Sequence, residues 1–228
     1  IRGWSGVGAG IMVGIAVAVT AGPGVASLQA AAGGAIYGLQ FDGIDDYVTF
    51  GVAPELGVST FTLETWFRWT GAGSTASTGG SGVQAIPLMT KGRGEYDGDT
   101  RDMNFFLGIR PGDRVLVADF EEAGSGPNPG LNHPVIGITA IGLDEWHHAA
   151  VTFDGTEWRL YLDGRLESTL AVGRLPRADS IQHASLATTL DSTGITPSGS
   201  FAGVLDEARI WNVARTATEI TQRMAVPL

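Results

Sequence analysis

The sequence predicts an all-β domain, a sandwich or barrel of antiparallel strands, and three observations point there. From Leu39 onward, short strand-type runs recur at regular spacing with Gly, Asp, Asn and Pro between them. The run "FTLETWFRW" (61–69) alternates, with Phe61, Leu63, Thr65, Phe67 and Trp69 on one face and Thr62, Glu64, Trp66 and Arg68 on the other. Asp-Gly occurs at 154–155 and again at 163–164, each time between apolar alternating runs. That dipeptide suits a two-residue type I′ turn, in which both central residues need positive φ. A chain of 228 residues holds one such domain plus extensions.

Taken in order, the opening stretch (1–35) has one Arg, an apolar run Ile11 to Val19, a break at Pro23-Gly24 and an A-x-A arrangement at Ala30 and Ala32. It reads as a secretory signal peptide. The alternative is an apolar N-terminal arm or a buried strand of the mature protein. The apolar run is too short for a transmembrane helix, which needs roughly 20 residues. Next, "FDGIDDYVTF" (41–50) reads as a strand entering and leaving a tight, acidic turn. Large residues on both faces of 61–69 predict a strand packed on two sides or facing a ligand groove. The polar run 70–84 is expected to be a flexible loop.

Strand signals resume at "IPLMTK", "NFFLGIR" and "RVLVADFEE". Three prolines make "PNPGLNHPVIG" a loop, the kind of segment where binding residues concentrate. The two Asp-Gly turns predict consecutive hairpins across 145–169, and "FAGVLDEARIWNV" (201–213) is the last strand. Thr216 followed three residues on by Glu219 is a capping-box spacing, so a short helix is expected in the tail. The layout is therefore 1–35 as signal peptide or arm, 36–213 as the β domain, and 214–228 as a helical tail.

Composition excludes several functions. The formal net charge of −10 and the pI near 4.7 disfavour nucleic acid, because the 14 Lys and Arg are scattered rather than clustered. Cations are the better match. Without cysteine, neither a disulfide framework nor a thiolate metal site can form.

Two acidic clusters are candidates for holding a cation. Asp42, Asp45 and Asp46 crowd one turn, and Asp97, Asp99 and Asp102 crowd one loop. The second lacks the later bidentate Glu of an EF-hand, which excludes that motif. It reads as a solvated loop that Arg93 and Arg101 could neutralise. "DFEE" (119–122) together with the Asn128 to His133 loop could add to a ligand face. His147 and His148 are strand neighbours that point oppositely and cannot share one metal, so a packed or edge role beside Trp146 is expected. The aromatics Trp66, Trp69, Trp146, Trp158, Tyr161 and Trp211 read chiefly as inter-sheet packing. A sugar site would need an exposed aromatic at a loop rim with polar groups beside it.

Together "LQFDGIDDYVTF", "FTLETWFRW", "EWHHAAVTFDGTEWRLYLDGRLE" and "FAGVLDEARIWNVARTATEI" resemble the laminin-G-like jelly roll of the concanavalin A-like lectin/glucanase superfamily, over roughly residues 37 to 222. The resemblance implies a two-sheet antiparallel jelly-roll sandwich with the first and last strands adjacent. It further implies a Ca²⁺ ion between the acidic turn and "VLDEARI". Asp42 and Asp206 would supply side chains and Gly43 a carbonyl oxygen, with Asp45, Asp46 and Glu207 as further candidates. The alternative is that Asp42 shapes its own turn while Asp206 or Glu207 pairs with Arg209.

Hydrolytic members of that superfamily carry carboxylates on one strand as E-x-D-x-x-E, a spacing found nowhere in this sequence. No G-x-S-x-G elbow occurs either. The expectation is a secreted or cell-surface, non-catalytic recognition domain stabilised by calcium. Its partner would be carbohydrate or another extracellular protein, and it could be part of a larger multidomain chain or a homo-oligomer. The alternative is a structural spacer or surface-fibre subunit assembled through the N-terminal arm.

Overall fold

A computed structural model describes residues 27–29, 38–124 and 127–226. Most of the expected signal peptide or arm thus lies outside the described residues. In chain order, β1 (Ser27–Gln29) and β2 (Gly38–Asp42) precede β3 (Val48–Gly51) and β4 (Phe61–Ser74). β5 (Ala76–Ser77), β6 (Gln84–Lys91), β7 (Phe105–Arg110), β8 (Val115–Asp119) and β9 (Val135–Ile136) follow. β10 (Trp146–Phe153), β11 (Glu157–Leu162) and β12 (Arg165–Ala171) form a meander. β13 (Ala184–Leu186), β14 (Thr189–Leu190), β15 (Pro197–Ser198) and β16 (Ser200–Trp211) then lead to helix α1 (Ala217–Arg223).

Two antiparallel sheets result, an all-β sandwich. One runs β1-β2-β16-β4-β10-β11-β12 and the other β3-β13-β6-β7-β8-β9, with β5 paired to β6. Alternation turns Phe61, Leu63, Phe67 and Trp69 of β4 inward, where they meet Ile86, Leu88, Leu107 and Leu116 of the facing sheet in one core. The Trp158 ring stands edge-on to Phe61 at 5.4 Å and to Phe120 at 5.2 Å, tying the sheets together. The first strand of the jelly roll lies beside the last, with Phe41 of β2 opposite Gly203 of β16.

β4 is central in its sheet and covered on both sides, which explains its large residues on both faces. On the outer face, Trp66 Nε1 donates to the Met224 carbonyl at 2.6 Å, and Glu64 accepts from Trp211 Nε1 at 2.8 Å and Arg215 Nη1 at 2.6 Å. The C-terminal segment therefore occupies the place where a groove on this strand would have been.

Three local expectations are corrected. The polar run 70–84 is not a loop throughout, since β4 continues to Ser74 and β5 pairs with β6. The Asp163-Gly164 turn has φ of 51° and 75° between the paired Leu162 and Arg165, as a two-residue turn requires. At Asp154-Gly155, by contrast, Phe153 pairs with Trp158 across a four-residue loop. There Asp154 Oδ1 accepts from the amides of Thr156 and Glu157, so the aspartate closes the turn with its side chain instead of its own φ. The proline-rich segment is a loop until Val135 and Ile136, which join β8 at the sheet edge. Among the described residues no helix is long and apolar enough to cross a membrane.

Candidate functional site

The acidic turn after β2 gathers Asp42, Asp45 and Asp46, whose nearest carboxylate oxygens lie within 4.8 Å of one another. Two of the six carboxylate oxygens already accept backbone bonds. Asp42 Oδ1 accepts from the amides of Ile44 at 2.7 Å and Asp45 at 3.3 Å, and Asp46 Oδ2 accepts from the Asp42 amide at 3.0 Å. The Gly43 carbonyl accepts from Ser200 Oγ at 2.5 Å. Burial, followed by the neighbouring Asp42 and Asp45 charges, raises the Asp46 carboxyl above the usual range despite its bond from the Asp42 amide.

Asp206 is not brought to this turn. Ala202 stands opposite Asp42 and Leu205 opposite Leu39, so Asp206 falls at the Gly38 end of the pair. At about 3.4 Å per residue, that is about 13 Å along the strands from Asp42, too far for one ion. A bulge follows Asp206, whose Oδ1 accepts from the Glu207 amide, and Glu207 pairs with Arg209 at 2.7 Å. The ion bridging first and last strands therefore does not fit. Among the described residues, the candidate ligands positioned near one another are those of the turn itself, the exposed Asp42 and Asp45 and the buried Asp46.

The second acidic loop divides. Asp99 forms an exposed pair with Arg101 at 2.6 Å, and Arg93 pairs with Asp191 instead of the loop. Asp102, expected in solvent, is wholly buried and accepts from Arg177 Nε at 3.0 Å and Nη2 at 2.6 Å. The difference arises because the chain turns inward at Met103 and Asn104 to begin β7, carrying Asp102 under the loop. Asp97 stays exposed and faces the 128–130 loop, where Gly130 packs against its Cβ.

These loops enclose a cleft of 310 Å³ lined by Gly80, Ser81, Asp97, Asn128, Gly130 and Asn132, among others. Tyr96 stands beside Asp97 with its side chain 57% exposed. The Arg101 guanidinium lies over one face of its ring, 4.1 Å from the centroid, and is itself held by Asp99.

Beneath the cleft, the end of β8 supplies a buried acidic floor. Asp119 accepts from Thr78 Oγ1 at 2.6 Å, Asn132 Nδ2 at 3.0 Å and the His133 amide at 2.9 Å. Burial outweighs these bonds and pushes its carboxyl up to about 7. Glu121, also wholly buried, accepts from the Met103 amide through Oε2, while Oε1 has no hydrogen-bond partner. Burial first, then the charges of Asp102, Asp97 and Asp119, pushes Glu121 up to about 9. "DFEE" and the Asn128 to His133 loop thus share one site, joined by the 78–82 turn.

A family model described as the concanavalin A-like lectin/glucanases superfamily, laminin G type, matches residues 42–221. The chain belongs to this family. No curated protein matches the chain. Solved structures similar to this laminin-G-like chain include domain 4 of AbnA, an extracellular arabinanase from Geobacillus stearothermophilus, in complex with arabinotriose. It is 16% identical, with 87% of this chain and 81% of that one covered, at a TM-score of 0.55. Another is the sialidase module CBM40 from Ruminococcus gnavus bound to α2,3-sialyllactose, 15% identical, with 81% and 95% covered and a TM-score of 0.58. At these identities the likeness establishes the fold alone.

The remaining candidates of the laminin-G-like domain lie away from this cleft, and three of the aromatics expected between the sheets stand on an outer face instead. His148 is buried edge-on to Trp66, 5.2 Å between ring centroids, and His147 bonds Asp163 at 2.8 Å. Trp69, Trp158 and Tyr161 are buried, whereas Trp66, Trp146 and Trp211 are half-buried on the outer face. Tyr96 and Thr78 were missed as site residues, whereas Asn132 lies in the loop that the sequence singled out. No periodicity marks a loop tyrosine as exposed, and Thr78 reaches Asp119 across 41 residues.

Proposed function

We propose that the chain is a non-catalytic carbohydrate-binding domain that seats a sugar in the cleft between the 79–81 turn, the 95–98 loop and the 128–132 loop. The observation that carries this is the exposed Tyr96 ring, held by Arg101 and Asp99 beside a cleft lined with amides and a carboxylate. A pyranose presents apolar C–H faces and many hydroxyls. An aromatic face packs on the former, and Asn128, Asn132 and Asp97 offer donors and acceptors to the latter. A volume of 310 Å³ accommodates a small saccharide unit rather than a long buried chain. Two neighbours of the fold were solved with arabinotriose and sialyllactose, which supports sugar as the ligand class. A secreted or cell-surface location follows from the same reading.

The test is a glycan array followed by calorimetry on the hits. Tyr96→Ala should weaken binding at least about tenfold, the loss of roughly one stacking contact. Binding to no glycan, or equal affinity in the variant, would sink the proposal.

A second reading has one observation behind it. Ser27–Gln29 pairs antiparallel with Gly38–Gln40 at the edge of the sheet, so a segment before residue 36 covers that edge. As a fibre subunit, the protein would lend this strand to a neighbour. Sedimentation of chains with and without residues 1–35 distinguishes the two, since the fibre reading requires concentration-dependent assembly that the deletion abolishes.

A further inference from the structure

Gln182 is wholly buried and uses both hydrogens and the oxygen of its side-chain amide on one loop. Its Oε1 accepts from the Arg93 amide at 2.7 Å, and its Nε2 donates to the Arg93 carbonyl at 2.9 Å and to the Arg101 carbonyl. The side chain thus answers Arg93 as an opposing strand residue would, exchanging both main-chain bonds just beyond the end of β6. Gly92 makes room for it. A Cβ there would lie 2.8 Å from the Gln182 amide carbon, and Gly92 has φ of +102°, a conformation L side chains rarely adopt.

One buried amide therefore joins both ends of the loop from Arg93 to Arg101. That loop brings Asp97 into the cleft and Tyr96 beside it, and its last residue supplies the guanidinium over the Tyr96 ring. The backbone of Gln182 is anchored in turn. Its carbonyl accepts from Lys91 Nζ at 2.9 Å, and Lys91, the one lysine of the chain, is itself wholly buried and also donates to the Val52 carbonyl. Other ties reach the loop from the same side: the Ile181 amide donates to the Thr100 carbonyl at 2.8 Å, the Ser192 amide to Glu95 at 2.8 Å, and Arg93 pairs with Asp191 at 2.7 Å. Each of these fixes one point, whereas Gln182 holds both ends.

We propose that Gln182 is a positioning residue for the sugar cleft: by clasping Arg93 and Arg101 it presets the loop that carries Tyr96 and Asp97 in the conformation that binds. This rests on the carbohydrate reading. A loop held at both ends before the ligand arrives has less freedom to lose on binding, and that saving appears as affinity. With no exposed surface, Gln182 itself cannot touch a ligand, so its whole effect passes through the loop.

The test uses the full 228-residue chain as wild type, Gln182→Met, Tyr96→Ala and the double variant. It measures calorimetric affinity for the strongest glycan-array hit together with amide hydrogen exchange. Met keeps the length of the side chain without its amide. Gln182→Met should bind about tenfold more weakly than the wild type. Without sugar, its Gly94 and Gly98 amides, which bond to Ser77 and Asp102 rather than to Gln182, should exchange at least about tenfold faster, while those of β7 and β8 keep their rates. The double variant should bind within about threefold of Tyr96→Ala, because the clasp acts through a ring already removed. Losses that multiply in full, or wild-type affinity in Gln182→Met, would overturn the proposal. Should Gln182→Met not fold, the wild type decides. Bound sugar should slow exchange of its Arg93 amide, since opening the clasp must then release the ligand, and an unchanged rate would overturn the proposal. If no glycan binds the wild type, the role in sugar binding falls with the carbohydrate reading, while faster Gly94 and Gly98 exchange in Gln182→Met leaves the clasp itself standing.

Discussion

Carboxylates in this protein divide by what their neighbours donate, and the sequence distinguishes the two kinds only in part. Asp42 was readable as a turn aspartate because the amides that donate to it lie two and three residues ahead, within local reach. Asp42→Ala should therefore cost about 1 kcal/mol in urea unfolding, equally in calcium and in EDTA. A loss seen only in calcium would contradict this. Asp102 and Glu121 were not readable in the same way, since their partners, Arg177 and the Met103 amide, arrive from segments that only the fold brings near. His148 gives a pH signature. Burial, then the charges of Arg209 and Arg215, lowers it to about 4 against Asp163, with Glu64 3.9 Å away. The unfolded chain binds this proton below about pH 6.5, while the folded one does so only near 4. The stability His148 contributes above pH 6.5 is thus lost as pH falls through that window, on the order of 3 kcal/mol in full. Urea unfolding from pH 7 to 4.5 should fall less steeply for His148→Gln than for the wild type, and parallel curves would contradict the assignment.

Among the elements, β4 and α1 explain each other. The alternation of 61–69 was legible, and so was the need to cover both faces, but not what covers the outer one. The structure supplies the tail: Thr216 caps α1 in a capping box with Glu219, and Arg215, one residue before, reaches the buried Glu64. Removing Arg215 leaves Glu64 with Trp211 and a longer contact to Arg209 at 3.6 Å. Arg215→Ala should cost about 3 kcal/mol and Thr216→Ala about 1 kcal/mol. Chemical denaturation of the two variants checks this order, and equal small losses would mean the tail is not anchored through Glu64. The strand pair β2–β16 shows the opposite limit. Adjacency of first and last strands was legible from family likeness, yet register was not, and register decided that Asp206 stands far from Asp42.

At the scale of the molecule, the sandwich serves as a rigid base for loops at one edge. The β8 end, the 78–82 turn and the loops at 95–102 and 128–133 converge where the sheet stops, and there the buried acids and the exposed tyrosine meet. Their composition was visible in the sequence as two acidic runs and a proline-rich loop. Their convergence was not, because it depends on β6, β7 and β8 being sheet neighbours. The central claim is that this convergence binds sugar. Amide chemical-shift mapping with the strongest glycan-array hit tests it most directly. The account predicts shifts concentrated at residues 79–82, 95–98 and 128–133. Shifts confined to the Asp42 turn or to the β12 edge would contradict it.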